Sequence, residues 1–437
     1  MRTTVATLAL LATASLAHAQ LTEARWSSRF ATGVSYTVFE DGAVCLKAFD
    51  SPMGRRLYIG SEFTAINGDA CRSIAAFDGV RFIPIPTLID QYHNEKVLDF
   101  TVYSINATPR LVAVGFFNSP NADNGLGYLD DNDQLQGIGA GPFGNSAWFA
   151  SATAWQSPNG PELILGTSLT PSDSPYIYRH TPSGFLPMSP GVITTTSANA
   201  VFDDGTGPKV YIGVPIDGGV FQDRVTTWDG TNLTASVQPG ISWIQDLYVY
   251  DDGSGPALYA AGQGLKRLRN GTWETIPGAP ANGINTMCAF DDGTGPALYV
   301  AGQFTTVNGQ PMPRITRWRN GVWEPVGSGI PSGTVKAMEA FDEDGDGPAP
   351  AGLYVVGTFT TAGGVPSVGI ARWGQEGSAC PTCPADFDMN GGTDGADLGA
   401  FFAAFEAGSP CADVDLNGGI DGGDLAAFFF SFEQGGC

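Results

Sequence analysis

The chain has 437 residues, 43% of them hydrophobic and 15% charged, which is the composition of a packed globular protein with room for two or three domains and excludes a disordered one. Its 44 acids against 21 bases give a net charge of −23, which repels phosphate backbones and anionic headgroups and speaks against nucleic acid as a partner. Glycine, at 59 residues, and proline, at 30, favour many tight turns between short strands, so most of the chain is expected to be all-β.

Residues 1–19 have the three regions of a cleavable secretory signal: Met1-Arg2-Thr3-Thr4, a mostly apolar stretch from Val5 to Leu16, and Ala17-His18-Ala19. Export to a secreted or cell-surface location is therefore expected. No later segment is apolar enough to span a bilayer, so membrane insertion is not. Seven cysteines in an exported chain point to disulfides. Four of them, Cys380, Cys383, Cys411 and Cys437, fall where a small module needs staples. Cys45 and Cys71 form a further candidate pair, and Cys288, inside an apolar run, is the candidate free thiol.

The chain repeats. The clearest copies start at Ala289 ("AFDDGTGPALYVAGQFTT") and at Ala340 ("AFDEDGDGPAPAGLYVVGTFTT"), and each unit carries a short apolar run closed by glycine at Gly60, Gly115, Gly166, Gly213, Gly262, Gly302 and Gly357. Seven units roughly fifty residues apart have the period of propeller blades. Each parses as four strands, with "DDGTGP" and Asn-Gly or Asp-Gly as turns. The seventh unit stops at Ala371-Arg372-Trp373-Gly374, while residues 24–38 look like its missing fourth strand. Pairing of the region near Trp26 with that of Trp373 would close the ring and leave no open sheet edge. The tryptophans that recur with the repeat, Trp318, Trp323 and Trp373, are expected in blade cores.

Across residues 24–374 the array resembles propellers of the kelch and galactose-oxidase central-domain type. That resemblance implies architecture only, because the copper site of galactose oxidases needs two histidines with tyrosines and a cysteine, and beyond the signal only His93 and His180 occur. The propeller is expected over residues 20–376.

Residues 377–437 read differently. Between Cys380 and Cys437 there are ten acids and no base. Two stretches, "DFDMNGGTDGAD" and "DVDLNGGIDGGD", place oxygen ligands at positions 1, 3, 5, 7, 9 and 12 of a twelve-residue loop, with glycine at 6 for the sharp turn, the pattern in which a chain wraps calcium. The first would use Asp386, Asp388, Asn390, the Gly392 carbonyl, Asp394 and Asp397. The second would use Asp413, Asp415, Asn417, the Gly419 carbonyl, Asp421 and Asp424. Each loop leads into apolar residues at helical spacing, Leu398, Phe401, Phe402 and Phe405 after the first, Leu425, Phe428, Phe429 and Phe432 after the second. Two calcium ions are expected. Carboxylates about 5 Å apart repel by about 3 kcal/mol at an effective dielectric near 20, so metal should close these loops.

The tandem 27-residue spacing, aspartate at position 12 and a single helix after each loop resemble a type I dockerin of the EF-hand class. The resemblance implies a calcium-dependent module that docks an exported protein onto a cohesin-like or other cell-surface protein. Positions 10 and 11, usually polar in dockerins, are Gly395-Ala396 and Gly422-Gly423 here.

No G-x-S-x-G, H-E-x-x-H or phosphate loop occurs, so no catalytic residue is assigned. Two readings remain. One is a non-catalytic calcium-binding propeller that binds a surface protein or glycan with the dockerin-like module as tether. The other is a dockerin-bearing polysaccharide-degrading enzyme, a glycoside hydrolase or lyase, whose carboxylates converge in the channel from different blades. The irregular repeats two to four, such as the segment after Gly115, are where a divergent site is expected.

Overall fold

The computed structural model describes residues 24–30, 34–36, 43–61, 63–66, 69–71, 73–85, 96–117, 125–138, 148–169, 177–188, 198–214, 224–235, 238–343, 345, 350–375, 383–387, 392–406, 410–415 and 420–435. Contacts separate a unit spanning Ala24–Gln375 from a second that contains Glu376–Cys437.

Blade 6 displays the logic of the repeat. Its strands are Ile284–Asp291, Pro296–Gly302, Ile315–Arg319 and Val322–Pro325, paired antiparallel in chain order. The second strand is covered on both faces, and Leu298, Tyr299, Val300 and Ala301 are all fully buried, which is why the sequence there is a continuous apolar run without alternation. In the turn between the first two strands the Asp291 carboxylate accepts the N–H groups of Gly293 and Gly295, both 2.9 Å away. Asp292, the second acid, points inward to Arg317 and to the indole N–H of Trp373 in the next blade, 3.0 Å away. The Asn320-Gly321 turn has φ of 51° and 81°, the left-handed pair that a two-residue hairpin requires.

Among the described residues seven such four-stranded sheets form. Blades 1 to 5 begin at Ala43–Ser51, Lys96–Ile105, Trp148–Ser157, Ala198–Asp203 and Asp246–Asp251, and blade 7 at Val335–Phe341. The first strand of each blade touches the first strands of its neighbours, and that of blade 7 touches that of blade 1. The sheets therefore make a closed seven-bladed β-propeller. An apolar cluster fills each of the seven junctions, that between blades 7 and 1 holding Phe30, Phe77, Phe341 and Tyr354.

Blade 7 takes its fourth strand from the other end of the chain: Arg25–Trp26 pairs antiparallel with Ile370–Gly374, with Trp26 opposite Trp373. Among the described residues of the expected 24–38 segment these two form the strand, and the Ser27 N–H adds a bond to the Arg372 carbonyl at 3.0 Å. Val34–Tyr36 pairs instead with Phe63–Ile66 in a separate small sheet, because Phe30 between them is drawn into the 7–1 junction.

Glycine closes the second strand for a steric reason. A Cβ on Gly302 would lie 2.0 Å from the Gly283 carbonyl oxygen, and one on Gly357 would lie 1.9 Å from that of Thr334. The segment entering the first strand crosses so closely that no side chain fits.

Cys45 and Cys71, expected to pair, are buried and not joined in a disulfide, and Cys288 is likewise a buried thiol. Cys45 belongs to the junction of blades 1 and 2 and Cys71 to that of blades 7 and 1, so blade 1 itself separates the two thiols. Cys383 and Cys411 are each disulfide-bonded, while Cys380 and Cys437 lie outside the described residues.

The second unit contains two helices, α1 (Gly395–Glu406) and α2 (Gly422–Glu433), and a short 3-10 turn at Pro410–Ala412. Phe401 and Phe428 stack with ring centroids 4.0 Å apart and planes 3° from parallel, and Phe387 meets both edge-on. Phe402 and Phe429, expected on the inner face, are 38% and 37% exposed, because the buried stripe runs through Leu398, Phe401 and Phe405 and leaves position 402 on its flank. Among the described residues no helix is long and apolar enough to cross a membrane.

Candidate metal centre

The described parts of the two acidic loops share one construction. In the second, Asp421 caps α2: its side chain accepts the Gly423 N–H at 2.6 Å, while Asp424 reaches back to accept the Asp421 N–H at 2.8 Å. This is a capping box, and it satisfies two of the helix's orphan donors. In the first, Asp394 accepts the Ala396 N–H at 2.7 Å and Asp397 accepts the Asp394 N–H at 2.8 Å. Asp397 and Asp424 are both fully buried, an unusual place for a carboxylate.

Asp424 also accepts the Asp415 N–H, 3.2 Å away. Burial works to raise its pKa, but the backbone N–H groups of Asp421, Asp415 and Val414 outweigh that and hold it below the usual carboxylate value. So held, Asp424 converges with Asp413 and Asp415: one carboxylate oxygen from each lies within 4.8 Å of the other two. Oxygens on a calcium shell of about 2.4 Å radius can be at most about 4.8 Å apart, so the trio matches positions 1, 3 and 12 of one cation's coordination sphere.

Asp421 stands outside that trio because its side chain is occupied with the cap, and position 9 commonly reaches calcium through a water. Asn417 and Gly419 lie outside the described residues. In the first loop Asp388 and Asn390 do so as well, and among the described residues Asp386, Gly392, Asp394 and Asp397 do not form a comparable trio.

The ring has its own polar lining, which sequence reading did not locate. Each first strand is an edge with unpaired N–H groups, and acids of the preceding blade cover several of them. Asp99 accepts the Ala152 N–H at 2.9 Å, Asp246 the Met287 N–H at 2.7 Å, and Glu339 the Ala48 N–H at 3.2 Å together with the Lys47 ammonium at 2.8 Å. Burial pushes Asp99 up to about 6 and Asp246 up to about 7, with the charge of Asp99 adding to the latter. The pattern is invisible in one dimension because partners lie 41 to 291 residues apart.

The irregular second repeat supplies structure in its described part. Asp133, from "LDDNDQL", is 4% exposed and reaches into blade 1 to pair with Arg56 and with the Tyr58 hydroxyl at 2.9 Å. The segment 118–124 lies outside the described residues.

No family model and no curated protein matches the sequence. Solved structures similar to it include BBS1N in complex with ARL6DN (12% identity, 82% of this chain and 99% of that one covered, TM-score 0.47). A computationally designed Ika8 protein (12%, 78% and 98%, 0.39) and the Dos1 propeller (11%, 78% and 95%, 0.45) are also similar.

Proposed function

We propose that this is an exported, calcium-binding propeller protein without catalytic activity, whose ring binds a cell-surface protein or glycan and whose dockerin-like C-terminal unit is a tether made rigid by calcium. The observation that carries the reading is the convergence of Asp413, Asp415 and Asp424 within 4.8 Å at the start of α2, where twelve-residue calcium loops place their ligands. Calcium at the millimolar level typical outside cells would fill sites of this class. Phe430, 69% exposed on α2, offers the tether an apolar contact for a cohesin-like partner.

The second reading, a polysaccharide-degrading enzyme, draws on Asp99 and Asp246, whose raised pKa values suit acid–base chemistry. Both carboxylates already accept backbone N–H groups of the next blade, which gives them a structural use and favours the first reading. Sedimentation of the full chain with cell envelopes and with insoluble polysaccharides, in calcium and in chelator, separates the two. Calcium-dependent sedimentation on envelopes without sugar release is expected, and release of soluble sugar would overturn the ranking.

A further inference from the structure

One mouth of the ring contains a cavity of about 400 Å³ whose lining differs from the rest of the protein. Trp243 stands over it beside the amides of Gln245, Gln263, Asn285 and Gln303 and the ammonium of Lys336. In a chain with a net charge of −23, no carboxylate of the described residues lines this cavity. Among the described residues Lys336 has no ion-pair partner, whereas Lys47, deeper in the ring, is held by Glu339.

Trp243 departs from the repeat at a conformational cost. In blades 5, 6 and 7 the carbonyl that packs against the glycine of the second strand belongs to Trp243, Gly283 and Thr334 respectively. Gly283 has φ +67°, comfortable for glycine, and Trp243 takes nearly the same value, φ 57°, which a bulky side chain rarely adopts. The strained backbone is held on both sides. Ile241 and Ile244 are 6% and 1% exposed, and the Gln263 N–H is bonded to the Ser242 carbonyl at 2.8 Å. The result is an indole that is 58% exposed, the most exposed aromatic ring of the described propeller, on a rigid support. A strained, displayed aromatic ring at a cavity, placed where a sibling blade has glycine, points to binding and not to packing.

We propose that this mouth binds an oligosaccharide that carries a carboxylate: a sugar ring stacks on Trp243, the carboxamides of Gln245, Gln263 and Gln303 take its hydroxyls together with the oxygen of Asn285, whose amide N–H donates to the Val335 carbonyl at 2.7 Å, and Lys336 pairs with the uronate group. Aromatic stacking suits the apolar face of a sugar, and amides, which both donate and accept, suit hydroxyls. The acidic class follows from Lys336, the one charge among the described lining residues. The proposal deepens the reading of a glycan-binding ring and rests on it.

The test uses the full chain and calorimetric titration with oligomers of galacturonic and glucuronic acid and with neutral galactose and glucose oligomers of the same length. Binding of at least one acidic oligomer is expected, about tenfold or more tighter than its neutral counterpart. Trp243→Gly should weaken binding at least about tenfold without lowering the melting temperature, since glycine tolerates φ 57°. Trp243→Phe should retain binding, and Lys336→Gln should abolish the preference for acid. Equal affinity for neutral oligomers, or an unchanged affinity of Trp243→Gly, would overturn the proposal. Chelator should leave these affinities unchanged, because every lining residue belongs to the Ala24–Gln375 unit. A protein that sediments with envelopes yet binds no oligomer would refute this site and leave the tethered propeller standing. One that binds acidic oligomers yet never sediments would do the reverse.

Discussion

Trp26 and Trp373, 347 residues apart in sequence, lie directly opposite each other across a strand pair, with ring centroids 5.4 Å apart and planes inclined by 57°. This pairing completes blade 7 with residues from the opposite end of the chain. The Trp26 indole donates to the Val326 carbonyl at 3.2 Å and the Trp373 indole to Asp292 at 3.0 Å, so both rings also bind blade 7 to blade 6.

Trp26→Ala should therefore loosen the whole ring. Truncation of a buried tryptophan costs about 3–5 kcal/mol, and here it also opens the edge of Ile370–Gly374. Thermal unfolding followed by near-ultraviolet circular dichroism should show a midpoint lower by several degrees, and an unchanged midpoint would mean that this strand does not hold the ring closed.

Gly302→Ala tests the close crossing that recurs in the repeat. Its Cβ would lie 2.0 Å from the Gly283 carbonyl, so backbone must move, and a loss of about 3 kcal/mol in denaturant unfolding is expected. Gly309→Ala, where a Cβ meets nothing within 4 Å, should cost less, its penalty coming from φ +76° alone.

Asp246 makes stability depend on pH. Folded protein keeps the Asp246 proton up to about pH 7, whereas the unfolded chain releases it near the ordinary carboxylate value, so the folded state binds more protons in between. Stability from this group falls as pH rises through that window. Asp246→Asn retains an oxygen for the Met287 N–H and removes the charge, so it should raise the melting temperature by a few degrees at pH 8 and leave it nearly unchanged at pH 4.

The three buried thiols should be inert in the native state. Burial pushes Cys288 up to about 12 and Cys45 well above its ordinary value, and a thiolate is the reactive form. Alkylation at pH 8 followed by peptide mapping should leave Cys45, Cys71 and Cys288 unlabelled until denaturant is added.

Much of the ring was legible in the sequence because a propeller repeats its physics. A strand covered on both faces must be apolar throughout, a two-residue hairpin must use residues that accept positive φ, and a crossing carbonyl must meet glycine. The apolar run closed by glycine recurs in all seven units and fixes the blade count, while the close carbonyl crossing is seen at Gly115, Gly262, Gly302 and Gly357. The convergence of Asp413, Asp415 and Asp424 was legible because the three acids lie within one twelve-residue stretch. Interactions across blades were not legible. The Asp133–Arg56 pair, the acids that cover neighbouring edges and the cavity under Trp243 join residues with no fixed spacing. Trp243 did leave one trace: "ISWIQD" places tryptophan where the next unit, "NGINTM", has glycine at the position of close crossing. The pairing expected of Cys45 with Cys71 failed because their separation of 26 residues says nothing about which face of a strand each thiol occupies.

Calcium is the centre of the functional account, and calorimetric titration of the metal-free full chain with calcium tests it most directly, beside Asp424→Asn, which keeps the acceptor for the Asp421 N–H but removes one charge from the trio. Saturable binding of two ions with dissociation constants at or below about 10⁻³ M, weakened at least about tenfold at one site by Asp424→Asn, is the outcome expected. Absence of saturable binding at millimolar calcium, or full binding by the Asp424→Asn chain, would contradict it.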